Sequence, residues 1–172
     1  MEFVFRSEGS PNALLALSAP RLVQPRSDRR HVVLITSDTH RGDHLGAADA
    51  GVEIRTPFLD ELAEDGVFFE DCMSTANITV PSPVAMMTGN SPRALGLIDN
   101  MTALSPSSVT LAEHFRDAGY YTVSVLGTKH LRHDNSGLGQ GFDRVIPTDQ
   151  EKQLGHISAD IIRDVIDGEG DQ

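Results

Sequence analysis

The chain has 172 residues with 14 basic and 25 acidic side chains, which gives a formal net charge of −11 at pH 7. A chain of this length accommodates one domain with one modest hydrophobic core. The negative charge argues against nucleic acid or an anionic membrane surface as the main partner, because both carry negative charge themselves.

No apolar run approaches the roughly 20 residues that a membrane helix needs, and no export signal is recognised. The default expectation is therefore a cytoplasmic protein without a membrane span, and the sequence leaves its oligomeric state open. Residues 1–30 mix Ser, Pro and Arg without hydrophobic periodicity, which predicts a mobile leader before a folded part over 31–172. Cys72 is the single cysteine, so no disulfide forms within the chain, and its neighbours favour a buried apolar position.

The first elements follow a strand, helix, strand order. Residues 31–38, HVVLITSD, form a nearly continuous aliphatic and β-branched run, which predicts a strand buried on both faces of a parallel sheet. Thr56 then fits an N-cap, Pro57 the first helical position and Gly66 the end of that helix. A second strand is predicted over residues 67–74, VFFEDCMS.

The later part of the chain returns to the same pattern. Thr110 and Glu113 have the spacing of a capping box, at the start of a helix that Gly119 ends. Residues 120–127, YYTVSVLG, predict a third strand, and the apolar spacing in residues 155–167 predicts an amphipathic helix. The order indicates βαβ units, hence an α/β fold, and a helix normally followed by another strand suggests the N-terminal portion of a longer fold.

The loop after the first predicted strand is a candidate cation site. Ligands gather beyond the carboxyl ends of the strands in open parallel sheets. Asp38 lies at such an end, where a carboxylate near hydroxyl and His side chains can hold a divalent cation. The alternative is that Asp38 or Thr39 caps the turn, and the spacing does not decide between the two. Asp43 and His44 fit turn or packing positions better than ligand positions.

Residues 78–89, ITVPSPVAMMTG, form a second candidate site. Ser82 fits an N-cap, Pro83 the first helical position, and Gly89 the end of the helix. Thr79 and Ser82 would then face exposed N–H groups, which is an anion-binding geometry. A hydroxyl there, beside a metal, is suited to attack on a phosphoryl or sulfuryl centre. The alternative is an ordinary helix cap, the more common use of such residues.

The loop after the third predicted strand is the last candidate site. Lys129 and His130 follow that strand directly and can bind an oxyanion or protonate a leaving group, or they are surface loop residues. The glycines in residues 136–142 do not form a dinucleotide fingerprint, since no strand leads into them and no helix clearly follows. This argues against nucleotide binding.

Taken in order, these segments resemble the N-terminal part of the sulfatase family, within the alkaline-phosphatase-like superfamily. HVVLITSDTHRGDHLG is similar to the first strand and metal-binding Asp of the family, and TVPSPVAMMTG to its nucleophile motif. AGYYTVSVLGTKHL and GQGFDRV are similar to the stretch that supplies a Lys and a His, followed by Gly-Phe-Asp. The resemblance runs from residue 31 to about residue 146. It implies an incomplete alkaline-phosphatase-like three-layer sandwich with a mostly parallel sheet.

The resemblance also implies roles for individual residues. Asp38 would be a metal ligand, Thr79 the nucleophile and a second metal ligand, and Lys129 and His130 the contacts to the substrate anion. The implied cofactor is a divalent metal ion, Ca²⁺ or alternatively Zn²⁺ or Mn²⁺. The implied substrate is a small-molecule or glycan ester of sulfate or phosphate.

The sequence departs from the family pattern at the site itself. Thr79 stands where sulfatases have the Cys or Ser that becomes formylglycine, and an unmodified Thr resembles the phosphodiesterases and phosphotransferases of the superfamily. Thr39 replaces a second Asp, and Pro83 replaces an Arg. Lys129 and His130 are adjacent where the family leaves one residue between them. The family completes its metal site with an Asp-His or Asp-Asn pair from a later DHG-like motif, and no DHG-like motif occurs before Gln172. Two functions therefore stay open, a sulfatase-like hydrolase and a degenerate domain that binds an anion or a partner without catalysis. A flavodoxin-like nucleotide binder is a third, weaker alternative.

Overall fold

The computed structural model describes residues 30–147 and 154–167, so the predicted leader lies outside the described residues except for Arg30. In chain order, the helices are α1 (Pro57–Asp65), α2 (Pro81–Thr88), α3 (Leu111–Asp117), α4 (His133–Ser136) and α5 (Leu154–Asp167), the strands are β1 (Val123–Leu126) and β2 (Arg144–Pro147), and 3-10 turns cover Gly46–Ala48 and Lys129–Leu131. None of the helices within the described ranges is long and apolar enough to cross a membrane.

The two strands are parallel, with Val123 opposite Arg144 at the start of the register. A clamp of hydrogen bonds precedes the ladder: the Thr122 backbone N–H donates to Asp143 Oδ2 at 2.9 Å, and the Asp143 N–H donates to the Thr122 carbonyl at 2.9 Å. The third predicted strand and the α/β class with parallel pairing are confirmed. Strand β2, which follows Gly-Phe-Asp, was not predicted from the sequence.

The helices with strong sequence signals begin and end close to the predicted residues. Thr110 caps α3 through a complete capping box, in which its hydroxyl accepts from the Glu113 N–H and its own N–H donates to Glu113 Oε2 at 2.8 Å. Thr56 precedes α1 as predicted, but its hydroxyl caps no helical N–H. It accepts instead from the Gly46 N–H and donates to Asp60 Oδ1, both at 2.9 Å. The predicted C-terminal helix is confirmed as α5.

Helix α2 begins two residues before the predicted start. Its N-cap is Val80 and its first residue is Pro81, so Ser82 and Pro83 lie inside the first turn. Both prolines are tolerated because they lie in the first turn, where the loss of a backbone N–H removes the least helical hydrogen bonding. Ser82 is therefore not the N-cap, and its hydroxyl lies 3.0 Å from the hydroxyl of Ser74.

The strands predicted over residues 31–38 and 67–74 are wrong. The sheet in the described residues contains only β1 and β2, and Ile35 is 82% exposed. A strand is stabilised by its neighbours in a ladder more than by its own sequence, and neither segment has such a neighbour among the described residues. Cys72, predicted to be buried, is exposed.

A small hydrophobic core positions the start of α2. Val80, the N-cap of α2, and Val84 within α2 are fully buried against three leucines that come from the following loops, Leu97, Leu104 and Leu138. Leu131, in the turn after β1, packs against the same cluster. Burying such a side chain contributes about 1.5–3 kcal/mol. The core therefore holds the segment after Thr79 and the turn that contains Lys129 in one packed unit.

Candidate active site

The structure brings the predicted metal ligand and the predicted nucleophile together. Thr79 and Asp38 are 41 positions apart in the sequence, yet the Thr79 hydroxyl donates to Asp38 Oδ2 at 3.4 Å. This distance is at the long end for an O–H···O bond. Asp38 is exposed and Thr79 is half-buried, so both are open to a ligand. The pair offers a hydroxyl beside a carboxylate that can orient it.

The residue that follows Thr79 in the chain is buried in the core. Val80, its next neighbour, has no exposed surface, and the Val80 carbonyl accepts from the Val84 N–H at 3.2 Å. One residue earlier, the Ile78 carbonyl accepts from the Ser82 N–H at 3.3 Å. Helical hydrogen bonding thus starts around Thr79 itself. The backbone that carries the hydroxyl therefore leads directly into the hydrogen-bonded start of α2.

The predicted set of exposed N–H groups at this helix start is wrong. The first N–H groups of a helix lack acceptors within it, and this is what makes a helix start attractive to anions. Here Pro81 and Pro83 have no N–H, the Ser82 N–H bonds the Ile78 carbonyl, and the Val80 N–H donates to Asn100 Oδ1 at 2.9 Å. Anion binding by backbone amides is therefore not built into the first turn of α2.

The loop that carries Asp38 is fixed by local contacts. Thr39 has a positive φ of 59°, which is unusual for a β-branched residue. Farther on, Arg41 donates twice to Asp43, at 2.9 and 2.6 Å, and His44 Nδ1 lies 2.9 Å from the same carboxylate. Hydrogen bonds from Arg41 and then His44 hold the pKa of Asp43 far below its usual range. Asp43 and His44 thus occupy the turn positions predicted for them.

Lys129 and His130 lie in the 3-10 turn Lys129–Leu131, just beyond the carboxyl end of β1. The Lys129 side chain is exposed and that of His130 is half-buried. Within the described residues, no hydrogen bond joins either side chain to Asp38 or Thr79. The structure therefore brings the first two predicted site residues into contact and leaves the other two on a neighbouring turn.

The side chains of Asp38 and Thr79 offer the kind of donor atom that a hard cation prefers. Asp38 and Thr79 supply oxygen atoms, which Ca²⁺ prefers, but Ca²⁺ takes about 6–8 oxygen ligands. In the part of the chain that the structure describes, no group of three or more His, Cys, Asp or Glu side chains could hold a metal ion. These two residues therefore fit a divalent ion as part of a ligand set.

Asn100 and Ser74 lie around the segment of the predicted nucleophile, and no sequence pattern singled them out. Asn100 reaches the Val80 N–H across 20 positions of the sequence, and Ser74 contacts Ser82 across eight. Neither belongs to a motif with a recognisable spacing, so no local signal identifies them. An open pocket of about 480 Å³ lies elsewhere, between the Gly46–Ala48 turn and α1, and none of the predicted site residues lines it.

A family model and the related proteins found by sequence comparison all indicate the same family, the sulfatases. The Sulfatase family model matches residues 30–155. The chain is 26% identical over 143 residues to the N-acetylglucosamine-6-O-sulfatase of Bacteroides thetaiotaomicron, covering 79% of this chain and 25% of that protein. It is 32% identical over 126 residues to an ulvan-active sulfatase of Formosa agariphila, covering 70% of this chain and 24% of that protein.

One solved structure shares the fold. The phosphonate monoester hydrolase of Agrobacterium radiobacter superposes with a TM-score of 0.54 at 24% identity, covering 73% of this chain and 27% of that one. This likeness confirms the predicted alkaline-phosphatase-like α/β fold. The chain spans about a quarter of the length of the relatives that it matches. Since the family model covers most of the chain, the chain belongs to the sulfatase family.

Proposed function

We propose that this chain is the nucleophile-bearing part of a metal-dependent hydrolase that cleaves esters of sulfate or phosphate. The observation that carries the proposal is the contact of 3.4 Å between Thr79 Oγ1 and Asp38 Oδ2, which pairs a hydroxyl with a carboxylate. The names of the relatives, an N-acetylglucosamine-6-O-sulfatase and an ulvan-active sulfatase, favour a glycan ester as the substrate.

The reaction begins with attack by Thr79 Oγ1 on sulfur or phosphorus. Its proton passes to Asp38 Oδ2, a covalent ester of Thr79 forms, and the leaving oxygen takes a proton from His130. Water then cleaves the Thr79 ester and gives a proton to His130, and Asp38 returns its proton to the Thr79 oxygen. Lys129 balances the charge of the transferred group.

Asp38 and Thr79 are also the residues that would hold the divalent ion, since Asp38 keeps a second carboxylate oxygen for this purpose. When bound, such an ion would polarise the hydroxyl and the transferred group. Because Thr79 cannot become formylglycine, the chain's own hydroxyl is the nucleophile, and we expect phosphate esters to be cleaved in preference to sulfate esters.

The test is an activity panel with the chain, and with a longer polypeptide where the gene continues. The substrates are p-nitrophenyl sulfate, p-nitrophenyl phosphate and bis(p-nitrophenyl) phosphate, each with Ca²⁺, Mn²⁺ or Zn²⁺. We expect Thr79→Ala to lower kcat by at least about 1,000-fold, because removing a nucleophile removes the covalent route. Thr75→Ala, at an exposed threonine four positions away, should leave kcat unchanged. Equal turnover by wild type and Thr79→Ala would show that the nucleophile is assigned wrongly.

Non-catalytic binding of an anion or a partner is the second candidate function. It is favoured by the lack, across residues 30–147 and 154–167, of a group of three acidic, His or Cys side chains that could complete a metal site. Calorimetric titration with inorganic sulfate and phosphate tests it. Saturable binding that Lys129→Ala weakens, without turnover of any ester, would favour this function over hydrolysis.

A further inference from the structure

We infer that Asn100 is a positioning residue that fixes the orientation of Thr79 through the backbone of Val80. The inference rests on the proposed function of Thr79 as the nucleophile. Asn100 Oδ1 accepts from the Val80 N–H at 2.9 Å, and Asn100 is half-buried. That N–H belongs to the peptide group that joins Thr79 to Val80, so the bond holds the plane of the peptide next to the nucleophile.

The first turn of α2 offers this N–H no other acceptor. Val80 has no exposed surface, so water cannot easily replace Asn100, and a buried N–H without an acceptor is costly. Pro81 and Pro83 contribute no N–H, and the Ser82 N–H is already bonded to the Ile78 carbonyl. The Asn100 bond is therefore the side-chain contact that satisfies the backbone N–H at the N-cap of this helix.

Asn100 is itself held firmly in its loop. Next to it, Asp99 Oδ1 accepts from the Met101 N–H at 2.9 Å and from the Thr102 N–H at 2.8 Å. On either side of this turn, Leu97 and Leu104 are buried in the same core as Val80. The loop and the start of α2 thus pack on one cluster, and this gives the Asn100 amide a fixed direction.

The consequence for the reaction concerns the geometry of attack. The Thr79 hydroxyl meets Asp38 at 3.4 Å, a distance that a small rotation of the backbone would lengthen beyond hydrogen bonding. Misplacing a nucleophile lowers the rate of the chemical step while substrate binding by other groups persists. Loss of the Asn100 acceptor should therefore lower kcat and leave KM nearly unchanged.

The test compares Asn100→Leu, which has a similar shape without an acceptor, with Asn100→Asp, which keeps the acceptor oxygen. Asn100→Ala is a second variant without an acceptor, in case the leucine prevents folding. The matched control is Asn90→Ala at the other end of α2, where the exposed side chain donates only to the Thr88 carbonyl. NMR on the full chain measures hydrogen exchange at the Val80 amide and the couplings that report the side-chain rotamer of Thr79.

For the variants without an acceptor, we expect Val80 exchange to be about 10- to 100-fold faster, as loss of a buried hydrogen bond implies. The Thr79 couplings should move toward the average of several rotamers, and Asn100→Asp and Asn90→Ala should keep the wild-type values. Unchanged Thr79 couplings would overturn the inference even if Val80 exchange accelerates, because Asn100 would then be merely structural.

A kinetic measurement on bis(p-nitrophenyl) phosphate separates this inference from the proposed function. If Thr79→Ala abolishes turnover and Asn100→Leu keeps full kcat, the positioning role is wrong and the nucleophile stands. If Thr79→Ala turns over like wild type, the proposed function fails, and the NMR couplings alone decide whether Asn100 orients Thr79.

Discussion

Replacing Gly141 with alanine should destabilise the fold through a collision that the structure defines. Gly141 precedes β2 and has a φ of +87°, in the left-handed region that favours glycine. A Cβ atom there would lie 2.5 Å from the Glu113 backbone nitrogen and 2.8 Å from Thr110 Oγ1, both in the capping box of α3. Gly141 therefore lets β2 begin against the start of α3.

Two costs add up in this variant. The left-handed backbone costs an alanine about 1–2 kcal/mol. Forcing an extra carbon against a fixed helix start costs about 1–3 kcal/mol. We expect Gly141→Ala to lower the free energy of unfolding by about 2–5 kcal/mol. With a urea dependence of about 2 kcal/mol per molar, the midpoint of unfolding falls by roughly 1–2.5 M.

Gly96→Ala isolates the collision from the backbone strain. Gly96 has a similar positive φ of 71°, but a Cβ atom there would meet nothing within 4 Å. Its variant should lose only about 1–2 kcal/mol. Urea unfolding followed by circular dichroism gives both values on the same protein. If Gly141→Ala is no less stable than Gly96→Ala, the close approach of β2 to the α3 capping box is not what requires glycine.

Three further predictions follow from the same structure. Thr39→Asn should raise the free energy of unfolding by about 0.5–1 kcal/mol in urea titrations. Asparagine tolerates the left-handed conformation at the φ of 59° better than threonine does. An unchanged midpoint of unfolding would argue against backbone strain at residue 39. Hydrogen bonds from Gln140 and then Thr110 lower the pKa of Glu113, so its contribution to stability is present above its unfolded pKa of about 4.3 and is lost as pH falls through the lower folded value. The midpoint of Glu113→Gln should therefore fall less than that of wild type between pH 6 and pH 3, and parallel curves would contradict this. Ile35→Ser should change stability by less than about 0.5 kcal/mol and should reduce binding of the dye ANS, because Ile35 is 82% exposed; a large loss of stability would show that Ile35 is buried in solution.

Sequence reasoning succeeded where the determining contacts are local. The α3 capping box joins Thr110 to Glu113, three positions apart, and Pro57 with Gly66 marks both ends of α1. Such signals depend only on residues within one or two turns, so they can be read from the printed sequence. The start of α2 was misplaced because Pro81 and Pro83 both fit the first turn, and burial of Val80 in the core decides between them.

Sequence reasoning failed where a distant partner decides the structure. Residues 31–38 have the composition of a buried strand, yet they join no ladder within the described residues. By contrast, β1 pairs with β2, whose first residue lies 21 positions after the first residue of β1 and whose own sequence carries weaker strand signals. The same limit applies to the site, since Asp38 and Thr79 were identified through ordered motifs, whereas Asn100 belongs to no motif.

The first turn of α2 changes how an ester anion would have to be held. Free backbone N–H groups at a helix start commonly bind anions. In this turn the two prolines have no N–H, and the N–H groups of Val80 and Ser82 already donate to Asn100 and to the Ile78 carbonyl. The negative charge of a bound ester anion would therefore have to be neutralised by side chains or by a bound cation. The exposed Lys129 and the half-buried His130 lie on a turn that packs on the same core as Val80. In the proposed enzyme, the hydrogen-bonded start of α2 thus serves to orient Thr79, and the positive charge comes from outside the helix.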